Sequence, residues 1–168
     1  LSLPQVADIY TGKITNWKEV GGADKPITLY GRQTTSGTYV FFRDTVLKAD
    51  YSPSMRNMEG TAAIVDAVAV DETSIGYVGL GYLTQGVKPV SLEGKMPTDQ
   101  AAVASGVYPL TRPLYQYFNA LSKKASVAKQ LLLFELTPRG QEVVKQSGFL
   151  AIAPQDAGKN QGNLVKLG

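Results

Sequence analysis

The feature that most limits the fold is a change of hydrophobic pattern along residues 26–82. "PITLYG" (26–31), β-branched and aromatic, reads as a short strand ending in glycine. It feeds into residues 36–49, where Tyr39, Phe42, Val46 and Leu47 fall on one face of a helix. After the loop "ADYSPSMRNMEG", the segment "TAAIVDAVAV" (61–70) reads as a second helix with Gly60 before it and Thr61 near its start. "SIGYVGLGY" (74–82) then reads as a strand whose glycines let other backbone come close. Alternating strands and helices argue for an α/β fold.

The rest of the chain extends this pattern. Ser2, Pro4 and Gln5 predict a capped helix start, Val6, Ile9 and Tyr10 recur at helical spacing, and Gly12 is placed to stop the helix. "KITNWKEVGGADKP" is a turn-rich connection whose Trp17 is expected to pack the loop down, and "VKPVSL" (87–92) reads as a further short strand. "YPLTRPLYQYF" (108–118) is apolar but holds two prolines, which predicts an extended crossing segment. Helices are expected over about 122–135 and over 137–147, the second begun by Thr137-Pro138 and closed by Gly148. "FLAI" (149–152) reads as extended, and the polar, glycine-rich tail 154–168 is expected to fray or lie on the surface.

Composition removes several functions. With no cysteine and no histidine there can be no disulfide, thiolate metal site, cysteine nucleophile or imidazole-dependent triad. The net charge of +3 comes from scattered residues, with Lys123-Lys124 the only basic pair, so nucleic acid is not an expected partner. A mild positive field still favours small anions. No apolar run approaches the roughly 18 residues needed to span a bilayer. The carboxylates Glu19, Glu59, Asp66, Asp71, Glu72 and Glu93 read as solvated. Tyr77, Tyr82, Tyr108, Tyr115 and Tyr117 read as core or cleft wall.

The informative stretch is "GRQTTSGTYVFFRD" (31–44). A helix N-terminus has unpaired backbone N–H groups and partial positive charge, and so favours anions. Ser36 and Thr38 add hydroxyl donors, Gly37 lets an oxyanion approach the backbone, and Arg32 can offer a forked pair of donors. Thr35 is a further possible cleft hydroxyl. Thr61 is another, although a helix cap is the preferred reading there. Ser and Thr also cap ordinary helices, so these residues alone leave a plain structural role open. No Gly-Lys-[Ser/Thr] is present, which argues against nucleotide hydrolysis.

Arg32 followed by Ser36-Gly37-Thr38 resembles the second-lobe half of the phosphate site in periplasmic phosphate-binding proteins, the substrate-binding subunits of phosphate ABC transporters. "LPQVADIYTGKITNWKEVGG", "SIGYVGLGYL", "YPLTRPLYQY" and "LTPRGQEVVKQSGFLAI" are also similar to segments of that family, in the family's order, from about residue 1 to 153. The resemblance implies a type II periplasmic-binding-protein lobe, a mixed sheet flanked by helices, with the first lobe largely missing. It implies a second ligand-binding lobe over 1–107, a return segment and helices over 108–153 that help to complete the first lobe, and a polar tail over 154–168. Arg32, Ser36, Gly37 and Thr38 would be direct phosphate ligands, with no metal, cofactor or catalytic residue. The implied partner is a membrane permease, and the implied location is periplasmic or otherwise extracytoplasmic, with an anchor possible in the full-length protein.

In the family, a buried Asp of the first lobe accepts a hydrogen bond from protonated phosphate, which fully ionised sulfate cannot offer. No segment of this chain corresponds to it, and neither Asp8 nor Asp44 is given that role. The chain is therefore expected to be a half-site, with apolar surface on 108–153 free to meet the missing segment or a second copy. The alternatives are another oxyanion such as sulfate or molybdate, a ligand-free interaction or sensor module, and, with no nucleophile–base pair to support it, a phosphatase.

Overall fold

In a computed structural model of the chain, residues 1–119, 121, 125–152 and 154–165 are described, and they fall into two compact units, Leu1–Pro109 and Leu110–Gly168. The first unit is built on a parallel sheet of β1 (Thr28–Arg32), β2 (Arg56–Met58) and β3 (Ser74–Gly76) in the order β2-β1-β3. Tyr30 lies opposite Arg56 on one side and Gly76 on the other. Parallel pairing demands crossovers, supplied by α2 (Gly37–Phe42) between β1 and β2, and α3 (Thr61–Val70) between β2 and β3. The β1-to-β2 and β2-to-β3 crossovers run in opposite directions across the sheet, so right-handed connections put the two helices on opposite faces.

Packing agrees with that handedness. Gly76 faces α3 so closely that a Cβ there would stand 2.5 Å from Ile64 Cγ2 and 3.1 Å from Val68 Cγ2. One residue along, the pleat turns Gly31 to the other face, where a Cβ would collide with Met55 and the Tyr77 hydroxyl. That face carries an aromatic cluster. Phe42 stacks on Tyr77 at 4.3 Å, and Tyr10 meets them edge-on at 5.0 and 5.5 Å. Tyr51 stacks at 6.1 Å from Tyr77. Tyr10, Ile9 and Ile64 are almost fully buried, so both faces of the small sheet are covered.

The helix α1 (Leu3–Thr11) follows its sequence signals. Ser2 caps it in a reciprocal box with Gln5, and Gly12 ends it at φ 82°. Trp17 ties its loop down by donating its indole N–H to the Thr73 carbonyl at 2.7 Å. The predicted helix over 36–49 is two-part. After α2 the backbone widens into a π turn, Arg43–Leu47, closed by Lys48 N–H to the Arg43 carbonyl at 2.7 Å, and Lys48 stops it at φ 51°.

Several expectations are corrected. β2 lies inside what reads as a loop, because Arg56 and Asn57 are exposed and leave no alternation to detect. The predicted strand 74–82 stops at Gly76, and Leu80–Tyr82 forms a 3-10 turn instead. "VKPVSL" makes no strand, its last residue Leu92 pairing only as an isolated bridge with Lys95. A short helix α4 (Gln100–Ala104), capped by Asp99 through the Ala102 N–H at 3.0 Å, was not anticipated. Asp71 is no solvated surface carboxylate. It is half-buried and accepts from the Thr73 N–H at 3.0 Å and the Thr73 hydroxyl at 2.7 Å, chiefly the latter holding it below the usual carboxylate range. Tyr82, Tyr115 and Tyr117 are exposed rather than core, unlike Tyr77 and Tyr108.

In the second unit α5 (Ala125–Glu135) packs on α6 (Pro138–Gln146). Thr137 caps α6 by accepting the Gly140 N–H at 3.1 Å, and buried Gly140 leaves no room for a Cβ against the Phe134 carbonyl. Residues 111–119 are neither helix nor strand, whereas Lys123-Lys124 and the first residues of the helix expected over 122–135 lie outside the described residues. The tail does not simply fray: α7 (Pro154–Val165) forms, with Pro154 at its first position and an Asp156–Lys159 pair at 3.3 Å. Residues 166–168 of that tail lie outside the described ones.

The tyrosine cluster fixes an alkaline limit. Burial raises the Tyr10, Tyr51 and Tyr77 phenols above their ordinary value. They stay protonated when folded but ionise when unfolded above about pH 10, so stability is fully present below that pH and is lost as pH rises beyond it. In an alkaline titration, a step in phenolate absorbance should coincide with loss of helical circular dichroism, and Tyr10→Phe should shrink that step.

Candidate functional site

In a parallel sheet all strands end at one edge, and open α/β sheets bind ligands there. Arg32 ends β1 and pairs with Met58 at the end of β2, so α2 and α3 both begin beside it. The Arg32 side chain has a defined set of partners. Nη1 donates to the Thr61 hydroxyl at 2.7 Å, and Nη2 donates to the Glu59 carbonyl at 3.5 Å. Its backbone N–H donates to the Tyr77 hydroxyl at 3.1 Å. The Nε atom is buried and has no hydrogen-bond partner among the described residues.

None of these partners is charged. The ion pairs among the described residues join other side chains, for example Arg43 to Asp44 at 2.8 Å and Lys25 to Glu72 at 2.9 Å. Arg32 therefore keeps a full positive charge that is held in place but not neutralised. An unsatisfied buried donor costs about 1–3 kcal/mol, more when charged, so folding alone does not favour this arrangement.

Ser36 is the N-cap of α2. Its N–H closes a turn onto the Gln33 carbonyl at 2.9 Å, and its Oγ accepts the Thr38 N–H at 3.2 Å. A hydroxyl that accepts in this way retains its own proton for donation. Ser36 is the sole polar residue in the buried set of the described residues. Thr38 is half-buried, and Thr35 is exposed on the preceding turn. At Gly37 and at Gly60, the residue preceding α3, an added Cβ would meet no heavy atom within 4 Å, and neither residue has positive φ.

The cap expected at Thr61 is instead Gly60, which has no side chain to cap with, and Thr61 is the first helical residue. That shift turns its hydroxyl to Arg32. Sequence reasoning missed Tyr77 and the Glu59 carbonyl as supports of Arg32. Strand pairing positions both: β3 brings Tyr77 and β2 brings Glu59 and Thr61 beside the end of β1. Among the described residues no group of three His, Cys, Asp or Glu side chains could hold a metal ion.

Comparisons with known proteins agree on a family. A profile of the PBP superfamily domain matches residues 1–136. The chain is 34% identical over 158 residues to the phosphate-binding protein PstS of Pseudomonas aeruginosa, covering 87% of this chain and 49% of that protein. It is 30% identical over 159 residues to PstS of Borreliella burgdorferi, covering 88% and 56% respectively. Among solved structures, a putative phosphate ABC transporter substrate-binding protein with bound phosphate from Clostridium perfringens superposes with a TM-score of 0.78 at 32% identity, over 90% of this chain and 63% of that one. The chain spans about half the length of the curated relatives it matches.

Ser36→Ala removes the cap of α2 and should destabilise the first unit by about 0.5–2 kcal/mol. Urea denaturation should show a lower midpoint with an unchanged slope.

Proposed function

The chain belongs to the PBP superfamily, and from that membership we propose that its first unit binds inorganic phosphate at the C-terminal edge of the sheet. The observation that carries the reading is Arg32, a guanidinium held by neutral partners, with a buried Nε that no group among the described residues satisfies. A tetrahedral oxyanion supplies the acceptor such a donor requires. The Ser36 hydroxyl proton, the Gly37 N–H and the Thr38 hydroxyl would supply further donors, and the positive end of α2 adds to them.

Gly37 supports the same reading. Its backbone needs no left-handed conformation and its Cβ position is open, so neither packing nor strain calls for glycine. Glycine near a helix start costs up to about 1 kcal/mol against alanine. Close approach of a ligand to the backbone is what makes glycine useful there.

The proposed role is that of the substrate-binding component of a phosphate ABC transporter, acting outside the cytoplasm and delivering to a permease. Similar proteins carry such names, whereas a nucleophile–base pair for phosphoester hydrolysis has no candidate among the residues at this edge. Among the described residues no helix is long and apolar enough to cross a membrane. The remaining half of the relatives' length would complete the site. This chain holds no assigned carboxylate acceptor, so selection of phosphate over sulfate would come from that other half.

Titration with phosphate, followed by amide and arginine side-chain NMR, tests the reading. Signals of Ser36, Gly37, Thr38 and the Arg32 Nε–H should move together, sulfate should act similarly, and Gly37→Gln should keep the fold but lose the response. Shifts confined to other residues would refute the site. Residues 108–153 carry exposed apolar side chains, including Tyr115 at 71%, Tyr117 at 89% and Val127 at 68%, and we assign them to contact with the first-lobe segment. Light scattering of the chain alone should detect concentration-dependent self-association through them. A strictly monomeric profile at high concentration would count against that assignment.

A further inference from the structure

Among the described residues Thr61 is the one side chain that hydrogen-bonds the Arg32 guanidinium, and it does so without a charge. A hydroxyl can accept the Nη1–H and hold one rotamer, yet it leaves the cation free to meet an anion. The contrast lies within the same unit, where Arg43 donates its Nε–H to the Asp44 carboxylate at 2.8 Å and is neutralised. A carboxylate at the Arg32 position would satisfy the guanidinium and compete with any incoming oxyanion. Glu59, which precedes Gly60, offers Arg32 only its backbone carbonyl. The start of α3 is therefore arranged to hold Arg32 by neutral acceptors alone.

We propose that Thr61 is the positioning residue of the anion site, orienting Arg32 through a 2.7 Å hydrogen bond while preserving its charge for the ligand. This rests on the phosphate reading above and adds the means by which the arginine is kept available. Thr61 does not touch the anion. It acts through Arg32, and the partner that best suits such a role is a neutral acceptor with one short reach.

Three substitutions separate this role from plain packing. Thr61→Ser keeps the acceptor, Thr61→Val keeps the shape without it, and Thr61→Asp keeps an acceptor but adds the charge. Asp is also favourable in the first turn of a helix, so the last variant is expected to fold at least as well as the parent. Arginine side-chain NMR without ligand should show slowed rotation of the Arg32 Nη groups in the parent, in Thr61→Ser and in Thr61→Asp, and fast rotation in Thr61→Val. In phosphate titrations Thr61→Val should bind roughly tenfold more weakly, as loss of one charge-assisted hydrogen bond implies. Thr61→Asp should lose at least as much despite its ordered arginine, and Thr61→Ser should stay near the parent.

Unchanged Arg32 Nη rotation in Thr61→Val would overturn the assignment whatever phosphate does. Undiminished phosphate response in Thr61→Asp would overturn the claim that charge preservation matters. Absence of any Arg32 response to phosphate in the parent would overturn the phosphate reading itself, and with it the part of this proposal that concerns capture.

Discussion

The hydrogen bond from the Arg32 backbone N–H to the Tyr77 hydroxyl, 3.1 Å long, joins the aromatic core to the binding edge. Tyr77 can reach it because Gly31 has no side chain where the phenol stands. Tyr77 is in turn held by Phe42 at 4.3 Å and Tyr51 at 6.1 Å, and Phe42 belongs to the helix that Ser36 starts. The last residue of β1, the last residue of α2 and the residue after β3 thus meet at one ring.

The charge at that edge is kept by what is left out. A guanidinium beside a carboxylate already has an anionic partner, as Arg43 has in Asp44 at 2.8 Å. Arg32 has two neutral oxygens and one unsatisfied N–H instead. In water-accessible surroundings an exposed ion pair contributes only about 0–1 kcal/mol, so omitting a partner for Arg32 sacrifices little stability. A buried donor without an acceptor sacrifices more, and a ligand oxygen restores it. On the proposed reading, an anion would favour this arrangement without adding any contact to the fold.

Much of this was legible in the sequence where signals are local. The Ser2–Gln5 capping box, the Gly12 stop and the Ser36 cap depend on neighbours a few residues away, and each reads directly. The same holds for Arg32 and the Ser36-Gly37-Thr38 run, four residues apart on one strand–turn–helix. Most of what sequence did not reveal is non-local. β2 is three residues long with a polar pattern, so nothing in "SMRNM" announces a strand, and without it Thr61 has no reason to lie near Arg32. The contact spans 29 positions and exists only because β1 and β2 pair in parallel register. Asp71 was misread for a different reason: its main partner Thr73 is only two residues on, a local turn contact between α3 and β3 that was left unread, whereas the Tyr30 hydroxyl at 3.5 Å is distant in sequence.

The two units differ in how far they bury their own apolar residues. The first encloses Ile9, Tyr10 and Ile64 almost completely with a three-stranded sheet and helices on both faces. The second has α5 and α6 packed together, yet Leu121 remains 96% exposed and Leu131, Leu133 and Phe134 are also on the surface. Three helices and a segment without sheet or helix leave these apolar side chains uncovered, because burial needs a second layer. The relatives are about twice as long as the matched chain, and in that additional length lies enough polypeptide for such a layer. The first unit thus has a finished core that holds Arg32 in place, whereas the second has a face its own helices leave uncovered.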